Sequence, residues 1–278
     1  MDLVINTFER TYRRALVADV LNAVRADNRY SFARCVVLIN NVAEPAEARR
    51  RAQRLLEEGA IDEFHFVADR LDGALQSAGL RRRELEPLLH YSDGPLVAAT
   101  LPGSPWFLYW DPEARLAEPV DWLTPALELM HEDRRVMVAN PSWEKPDARG
   151  RRPGVEREAI ETRGGFAIGH GFSDQVFLAA RATMAAPIYG QRCIGSLAYP
   201  AAHKARVFEA RVAAHMRHHG RLRATSLAAS YATESPRGRS SYPPSGLAER
   251  WRYVRNGMTL RALRASPWRP RCLRSTWL

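Results

Sequence analysis

Two acidic residues follow an apolar run in the segment YWDPE, residues 109–113. Asp111 and Glu113 stand on either side of Pro112, and a proline at this place favours a turn. Carboxylates at this spacing can present oxygens to a hard divalent ion, and such an ion can bridge a diphosphate and neutralise a leaving group. The pair therefore predicts a Mg²⁺ or Mn²⁺ site. The alternative is that Asp111 only ends a strand at a turn and that Glu113 is only solvated.

A sheet must hold this turn in place, and four short apolar segments predict its strands. The segments are LVIN (3–6), CVVLINN (35–41), EFHFVAD (63–69) and PWFLYWD (105–111). Helical periodicity lies between them, over residues 12–24 and 44–59 and in the segments LDGALQSAG and ELEPLLHYS. Apolar runs that are continuous rather than alternating are typical of parallel strands. The alternation of strand and helix predicts an α/β fold with a mostly parallel sheet flanked by helices.

Polar residues follow every predicted strand. They form the segments TFER (7–10), NNVAE (40–44), DRLD (69–72) and DPE (111–113). Because ligands of open α/β sheets bind beyond the carboxyl ends of the strands, this convergence favours a ligand site. Local roles are the alternatives. Thr7 and Glu9 could open a helix, and Asp69 could cap one. Asn40 and Asn41 could form a plain turn.

The second half of the chain has a less regular order of elements. The predicted elements are helices over 120–133 and 205–220, a strand at VMVANPSW (136–143), a long loop rich in Arg, Pro and Gly over 144–165, and a strand or helix start at QVFLAA (175–180). Ser, Pro and Gly residues at 233–246 predict a linker. We therefore predict a globular domain over residues 1–232 and a linker with a basic C-terminal tail over residues 233–278.

The composition is that of a globular protein, with 46% hydrophobic and 26% charged residues. The net charge is +10 and lies mostly in the tail, where ten arginines oppose two acids from Glu234 to Leu278. A basic tail on a nearly balanced body argues against a nucleic-acid groove across the domain. The segment MDLVINTFER predicts no signal peptide, and no apolar stretch is long enough to predict a transmembrane helix. Three scattered cysteines predict reduced thiols and a cytoplasmic location.

The segment LAERWRYVRNGMTLRALR, residues 247–264, predicts a helix in the tail. Its apolar residues Leu247, Trp251, Val254 and Met258 fall on one face, with arginines around them. Apolar residues beside arginines are typical of an interfacial helix on anionic lipid, so we predict that the tail holds the protein at the inner membrane face. The alternative is that this face packs back on the body of the protein.

A family resemblance is carried by three segments, LVINTFERTYRRALVADVLNAV, FLYWDPEARLAEPVDWL and GFSDQVFLAAR. They resemble the first strand and helix, the D-x-D segment with its following helix, and the catalytic-Asp segment of inverting family-2-like glycosyltransferases of the GT-A fold. The resemblance covers residues 2–225. It implies a Rossmann-type sheet and the transfer of a sugar, with inversion, from a UDP- or GDP-sugar to a hydroxyl of a glycan or lipid-linked acceptor. It also implies Mn²⁺ or Mg²⁺ as the cofactor.

The resemblance assigns roles to individual residues. It implies that Asp111, with Glu113, holds the metal on the diphosphate, and that Asp174 is the general base for the acceptor hydroxyl. It implies a nucleoside pocket formed by Thr7, Phe8, Glu9, Arg10, Asn40 or Asn41, and Asp69. Glu113 departs from the family pattern, whose second acid is usually the shorter Asp. The alternative for Asp174 is that it forms, with Ser173, a helix cap.

Two other classes of function are open on the sequence. One is a non-catalytic α/β module whose Arg-rich tail binds RNA or an anionic membrane, with a steep dependence on salt. The other is a nucleotidyltransferase, which shares the sheet and the acid pair but releases pyrophosphate rather than a nucleoside diphosphate. Metal-dependent hydrolysis or binding of a nucleotide-sugar distinguishes a glycosyltransferase from the binding module, and the released product distinguishes it from the nucleotidyltransferase.

Overall fold

The computed structural model describes residues 1–199, 201–233 and 243–265. Its strands are Asp2–Phe8 (β1), Arg34–Asn40 (β2), Glu63–Phe66 (β3), Trp106–Trp110 (β4), Ala114–Leu116 (β5), Val136–Ser142 (β6), Ala159–Arg163 (β7), Phe166–Gly169 (β8), Val176–Ala180 (β9) and Leu222–Thr233 (β10). Its α-helices are Tyr12–Ala15 (α1), Ala18–Asp27 (α2), Pro45–Glu57 (α3), Val67–Ala78 (α4), Asp93–Thr100 (α5), Leu123–Glu132 (α6), Pro153–Glu158 (α7), Arg181–Ala185 (α8), Phe208–His218 (α9) and Leu247–Ala265 (α10). Short 3₁₀-helices are Arg82–Glu84, Leu89–Tyr91, Ile188–Gly190 and Ile194–Ala198.

The strands form one open sheet in the order β3-β2-β1-β4-β9-β6-β10-β8-β7, with β5 paired to β10. The strands β3, β2, β1 and β4 are parallel, as predicted, and β6 and β10 are also parallel. β9 runs antiparallel between β4 and β6, and the β10-β8-β7 edge is antiparallel. The α/β class with an open sheet flanked by helices is confirmed, and the sheet is parallel in its N-terminal half and mixed beyond it.

Both faces of the sheet are buried, which explains why its N-terminal strands are continuous apolar runs. Along β1, Leu3 and Ile5 face a cluster that includes side chains of α2, α3 and α6. Val4 faces the opposite cluster, which includes side chains of α4, α5 and α9. The alternation of side chains along a strand therefore places apolar residues on both faces.

Several predicted elements differ from the structure. The helix predicted over residues 12–24 is divided into α1 and α2. The strand predicted over residues 63–69 ends at Phe66, because Val67 begins the buried stripe of α4 with Leu71 and Ala74. The segment ELEPLLHYS forms short 3₁₀ turns rather than one helix, and α5 begins directly after it. The apolar periodicity of α4 thus extends one turn further back than the sequence indicated.

The loop predicted over residues 144–165 is wrong in part, since it contains the whole of α7 and β7. β7 is the edge strand of the sheet and most of its residues are exposed. An exposed edge strand needs no apolar run, and its sequence therefore carries no strand signal.

The tail helix is confirmed as α10, whereas residues 234–242 and 266–278 of the predicted linker and tail lie outside the described residues. The predicted boundary at residue 232 falls one residue before β10 ends. Within residues 1–199, 201–233 and 243–265, no helix combines the length and the apolar character needed to cross a bilayer.

The start of β1 is fixed by a buried carboxylate, at the end of the strand that lies away from Asp111. Asp2 has no exposed surface and accepts hydrogen bonds from Arg34 at 2.8 Å, Arg181 at 2.9 Å and the Ser104 hydroxyl at 2.6 Å. Burial by itself would raise the pKa of Asp2, but the bonds from Arg34 and Ser104 outweigh it and lower the pKa to about 2. This network ties β1 to β2 and to the first residue of α8.

Candidate active site

Asp111 and Asp174 stand next to each other across one pair of strands. β4 and β9 are antiparallel and pair Trp110 with Val176, so the end of β4 meets the beginning of β9. Beyond this pair, the backbone N–H of Asp111 donates to the carbonyl of Gln175 at 2.7 Å. Two acidic residues that are far apart in sequence are therefore neighbours at the carboxyl end of β4.

The Asp111 carboxylate is half-buried in an acidic environment. Burial raises its pKa to about 7, and the charges of Glu113 and Asp174 act in the same direction. One carboxylate oxygen accepts the backbone N–H of Glu113 at 2.8 Å, which holds the turn around Pro112. Asp111 thus forms the predicted turn and also carries a half-buried carboxylate with a raised pKa.

Asp174 has the same kind of environment. Burial raises its pKa to about 6. Burial also raises the pKa of Glu209, on the first turn of α9, and the charge of Asp174 adds to that effect. The Tyr109 hydroxyl lies close to the same carboxylates. Burial raises its pKa, and the charges of Asp111, Asp174 and Asp93 act in the same direction. We call Asp93, Asp111, Asp174 and Glu209 the acidic cleft.

The turn after β2 is held by one member of this cleft. The side-chain amides of Asn40 and Asn41 donate to the Asp93 carboxylate at 2.6 and 3.0 Å. Asp93 is buried, which raises its pKa, and it also accepts the N–H of Gly94 at 2.7 Å. A Cβ on Gly94 would lie 2.6 Å from the side-chain oxygen of Asn6, so glycine lets α5 approach β1. The two asparagines are thus part of a fixed polar network at the strand end.

The residues after β1 are fixed in different ways. Thr7 is fully buried and its hydroxyl donates to the Leu38 carbonyl at 3.0 Å, so Thr7 joins β1 to β2. Thr11 stands at the N-cap of α1, and its hydroxyl accepts the N–H of Phe8 at 3.0 Å, which holds the turn after β1. Glu9 accepts the N–H of Ala43 at 2.6 Å, which links the turns that follow β1 and β2.

Arginines lie at the rim of the cleft, beside Glu113. The Glu113 carboxylate is 3.2 Å from the guanidinium of Arg14 and 4.0 Å from that of Arg10. Arg10 also lies over the ring of Phe8, at 5.4 Å from its centroid. Glu113 is therefore engaged in ion pairs rather than merely solvated. Positively charged arginines thus lie at the rim of the cleft, close to the acidic Asp111 and Glu113.

Asp69 does not lie at a strand end. It is exposed on the first turn of α4, because β3 ends at Phe66. The predicted placement is wrong for this reason, and its role near a base stays a prediction.

Asp111 offers a divalent ion one suitable ligand. Mg²⁺ is usually bound by one or two carboxylates together with waters and substrate phosphates. Asp111 offers a half-buried carboxylate whose pKa stays raised, although the charge of Arg10 acts to lower it. Glu113 would have to leave Arg14 to contribute. In the part of the chain that the structure describes, no group of three His, Cys, Asp or Glu side chains could hold a metal ion.

Sequence reasoning missed Asp93 and Glu209. Asp93 opens α5 directly after Ser92, a pattern that also marks an ordinary helix start. Glu209 stands in the first turn of α9, where an acid is favoured by the helix dipole alone. Only the fold shows that these helix starts face Asp111 and Asp174, since the Ser92 hydroxyl accepts the N–H of Phe208 at 2.9 Å and thereby joins the two starts.

No family model and no curated protein matches the chain. Solved structures do match. A complex of GalNAc-T7 with UDP, GalNAc and Mn²⁺ is 12% identical, with a TM-score of 0.51 over 92% of this chain and 48% of that one. The chain has a GT-A-like fold. The galactosyltransferase LgtC with donor and acceptor sugar analogues matches over 65% of this chain and 58% of its own, at 18% identity and a TM-score of 0.35.

A third match is S. aureus TarS 1–349, at 10% identity and a TM-score of 0.45 over 84% of this chain and 59% of that one. The chain thus spans roughly half to three-fifths of the length of these three structures, between 48% and 59%. The likeness to GalNAc-T7 concerns the fold, and the acidic cleft lies at the edge of the sheet where ligands of open α/β folds bind.

Proposed function

We propose that the chain is a glycosyltransferase that transfers a sugar, with inversion, from a nucleotide-sugar to an acceptor hydroxyl. The observation that carries the proposal is the adjacency of Asp111 and Asp174 at the end of the β4–β9 pair. Both carboxylates have raised pKa values, about 7 and about 6, which is typical of groups that bind or move protons and ions in active sites. The fold shared with GalNAc-T7, whose complex contains UDP, GalNAc and Mn²⁺, supports the same assignment.

The donor would occupy the strand ends on the N-terminal side of the cleft. We assign its nucleoside to the turns after β1 and β2, where Asp93 holds Asn40 and Asn41. Its diphosphate would lie between Asp111 and the rim arginines, Arg10 and Arg14, which leave Glu113 to bind it. A Mn²⁺ or Mg²⁺ ion on Asp111 would neutralise charge on the leaving diphosphate. GDP- and UDP-sugars both fit this description.

Asp174 would supply the base. Its ionised carboxylate takes the proton of the acceptor hydroxyl while the hydroxyl oxygen bonds to the anomeric carbon. The bond from that carbon to the diphosphate oxygen breaks on the opposite face, and its electron pair leaves with the nucleoside diphosphate, which inverts the configuration.

The test is a panel of UDP- and GDP-sugars with Mn²⁺, with identification of the released product. We expect wild type to release a nucleoside diphosphate and Asp111→Asn to lose this release. The matched control is Asp72→Asn, because the Asp72 side chain is 91% exposed. Release of pyrophosphate in a parallel reaction, from UTP or GTP with a sugar 1-phosphate, would identify a nucleotidyltransferase. Absence of any turnover or binding across the panel would contradict the proposal and favour the binding module.

We also propose that α10 holds the enzyme on an anionic membrane surface, where a lipid-linked acceptor is available. The apolar face predicted from the sequence does not pack on the body, since Leu247 is 86% and Trp251 is 62% exposed. The flanking arginines Arg250, Arg252 and Arg255 are exposed too. An apolar face with arginines on both sides suits the interface of an anionic bilayer, where each basic residue contributes about 1 kcal/mol.

The membrane test is sedimentation of the full chain with vesicles of anionic or neutral lipid. We expect binding to the anionic vesicles, and its loss when Leu247 and Trp251 are both changed to serine. The control is serine at Ala248, which is exposed beside them. Equal sedimentation of wild type and double variant, or none with anionic vesicles, would contradict membrane docking by this face.

A further inference from the structure

A cavity lies between α10 and the segment that precedes α9. Its volume is about 440 Å³, which is in the range of small-molecule sites. Leu197 and Tyr199 line it from the body, and Val254, Met258 and Leu260 line it from α10. The cavity is thus formed mainly by apolar and aromatic side chains, and α10 supplies one of its walls.

Polar groups are present in this cavity at few places. His203 and Asn256 line it and are both more than nine-tenths buried. The Nε2 atom of His203 is buried and has no hydrogen-bond partner in the part of the chain that the structure describes. Arg261 also lines the cavity and is exposed.

The outer side of the cavity coincides with the exposed face of α10. Val254 and Met258 line the cavity and are 51% and 52% exposed. Both also belong to the apolar face that carries Leu247 and Trp251. A chain that leaves a bilayer at this face would therefore meet the cavity without crossing a polar surface.

The inner side of the cavity adjoins the acidic cleft through Tyr199. The Tyr199 hydroxyl accepts the backbone N–H of Phe172 at 3.2 Å, two residues before Asp174. Burial raises the pKa of the Tyr199 hydroxyl, and the charge of Glu209 acts in the same direction. Tyr199 is thus shared by the cavity and by the neighbourhood of the two carboxylates.

We propose that the cavity between α10 and residues 197–203 binds the alkyl chain of an amphiphilic, anionic acceptor, with its anionic group against Arg261. The apolar walls suit an alkyl chain, the exposed Arg261 suits a phosphate-type anion, and the Tyr199 hydroxyl joins the cavity wall to the segment before Asp174. This inference rests on the proposed function in one respect only, namely that the bound amphiphile is the acceptor.

The binding test uses the full chain and dodecyl phosphate below its micelle concentration, followed by calorimetry. A Cβ on Gly257, which lines the cavity, meets no atom within 4 Å, so Gly257→Leu fills the cavity without a backbone clash. Ala248→Leu adds the same side chain at an exposed position of α10 away from the cavity. We expect saturable binding that Gly257→Leu weakens by about tenfold or more and that Ala248→Leu leaves unchanged.

Arg261→Gln is a second variant, and it removes a positive charge without adding a side chain to the cavity. We expect it to weaken dodecyl phosphate binding, and we expect inorganic phosphate not to compete. No saturable binding, or equal binding by wild type and both variants, would overturn the proposal.

A separate readout distinguishes this inference from the proposed function. If donor binding and transfer are present, wild type should prefer alkyl acceptors over the free sugar and Gly257→Leu should lose that preference, with donor hydrolysis unchanged. A preference that survives in Gly257→Leu overturns the acceptor assignment. If no nucleotide-sugar binds, the proposed function fails, while variant-sensitive binding of dodecyl phosphate still supports the cavity as a site for an anionic amphiphile.

Discussion

Replacement of Asp174 by asparagine should separate catalysis from donor binding. Asparagine has nearly the same size but cannot accept the proton of the acceptor hydroxyl. General-base catalysis contributes about 10²–10⁴-fold, so kcat should fall by that factor. Donor affinity should be retained, because the donor contacts that we assign lie on Asp111, Asn40 and Asn41 rather than on β9.

The raised pKa of Asp174 also gives the expected pH dependence. Burial sets this pKa at about 6. The ionised fraction is then about nine-tenths at pH 7 and about one-tenth at pH 5, so the titration of Asp174 by itself should lower the wild-type kcat about tenfold between these pH values. The residual rate of Asp174→Asn should not follow this titration. Because burial disfavours the charged form, the variant should unfold at the same temperature as wild type or higher at pH 8.

The assay measures nucleoside diphosphate release with acceptor present and, separately, donor affinity by calorimetry. Asp72→Asn is again the control for an exposed carboxylate. A variant with wild-type kcat would refute the role of base. An equal loss of donor affinity and rate would show instead that Asp174 binds the donor or only shapes the turn before β9.

Two further predictions concern the network around the sheet. Asp2→Asn should cost about 3–5 kcal/mol in urea unfolding at pH 7, because Arg34 and Arg181 lose a buried counter-charge. Since the folded pKa of Asp2 is lowered from 3.8 to about 2, its stabilisation is full above the unfolded value and lost as pH falls through 2, so the gap between wild type and variant should close in acid. Asp93→Asn should weaken donor binding, because it releases the amides of Asn40 and Asn41. The loss of binding free energy, measured by calorimetry, should exceed the loss of unfolding free energy, measured by thermal unfolding.

The parallel half of the sheet and Asp111 could be predicted from the sequence because their signals are local. The first strands are continuous apolar runs, and Asp111 follows one of them directly. The place of β9 could not be predicted, since QVFLAA fits a strand or a helix and its pairing with β4 depends on contacts that are distant in sequence. The adjacency of Asp111 and Asp174 therefore follows from the fold alone.

The orientation of α10 shows a similar limit. Its helical periodicity correctly predicted the element, and the arrangement of Leu247 and Trp251 correctly placed them on one face. Which side of the helix packs on the body depends instead on contacts such as the ion pair of Lys204 with Glu249 at 3.0 Å and the buried side chain of Leu260. Amphipathic periodicity identifies a face but not the surface that covers it.

The most direct measurement for the central claim is the calorimetric affinity of UDP- and GDP-sugars with and without Mn²⁺, for wild type and Asp111→Asn. A donor at one hundred times its Kd should also stabilise the fold by about 2.7 kcal/mol, which thermal unfolding reads independently. We predict that at least one nucleotide-sugar binds wild type, that Mn²⁺ strengthens the binding, and that Asp111→Asn removes the effect of Mn²⁺. If no nucleotide-sugar binds, or if Asp111→Asn binds the donor as tightly as wild type with the same response to Mn²⁺, the cleft is not the donor site described above.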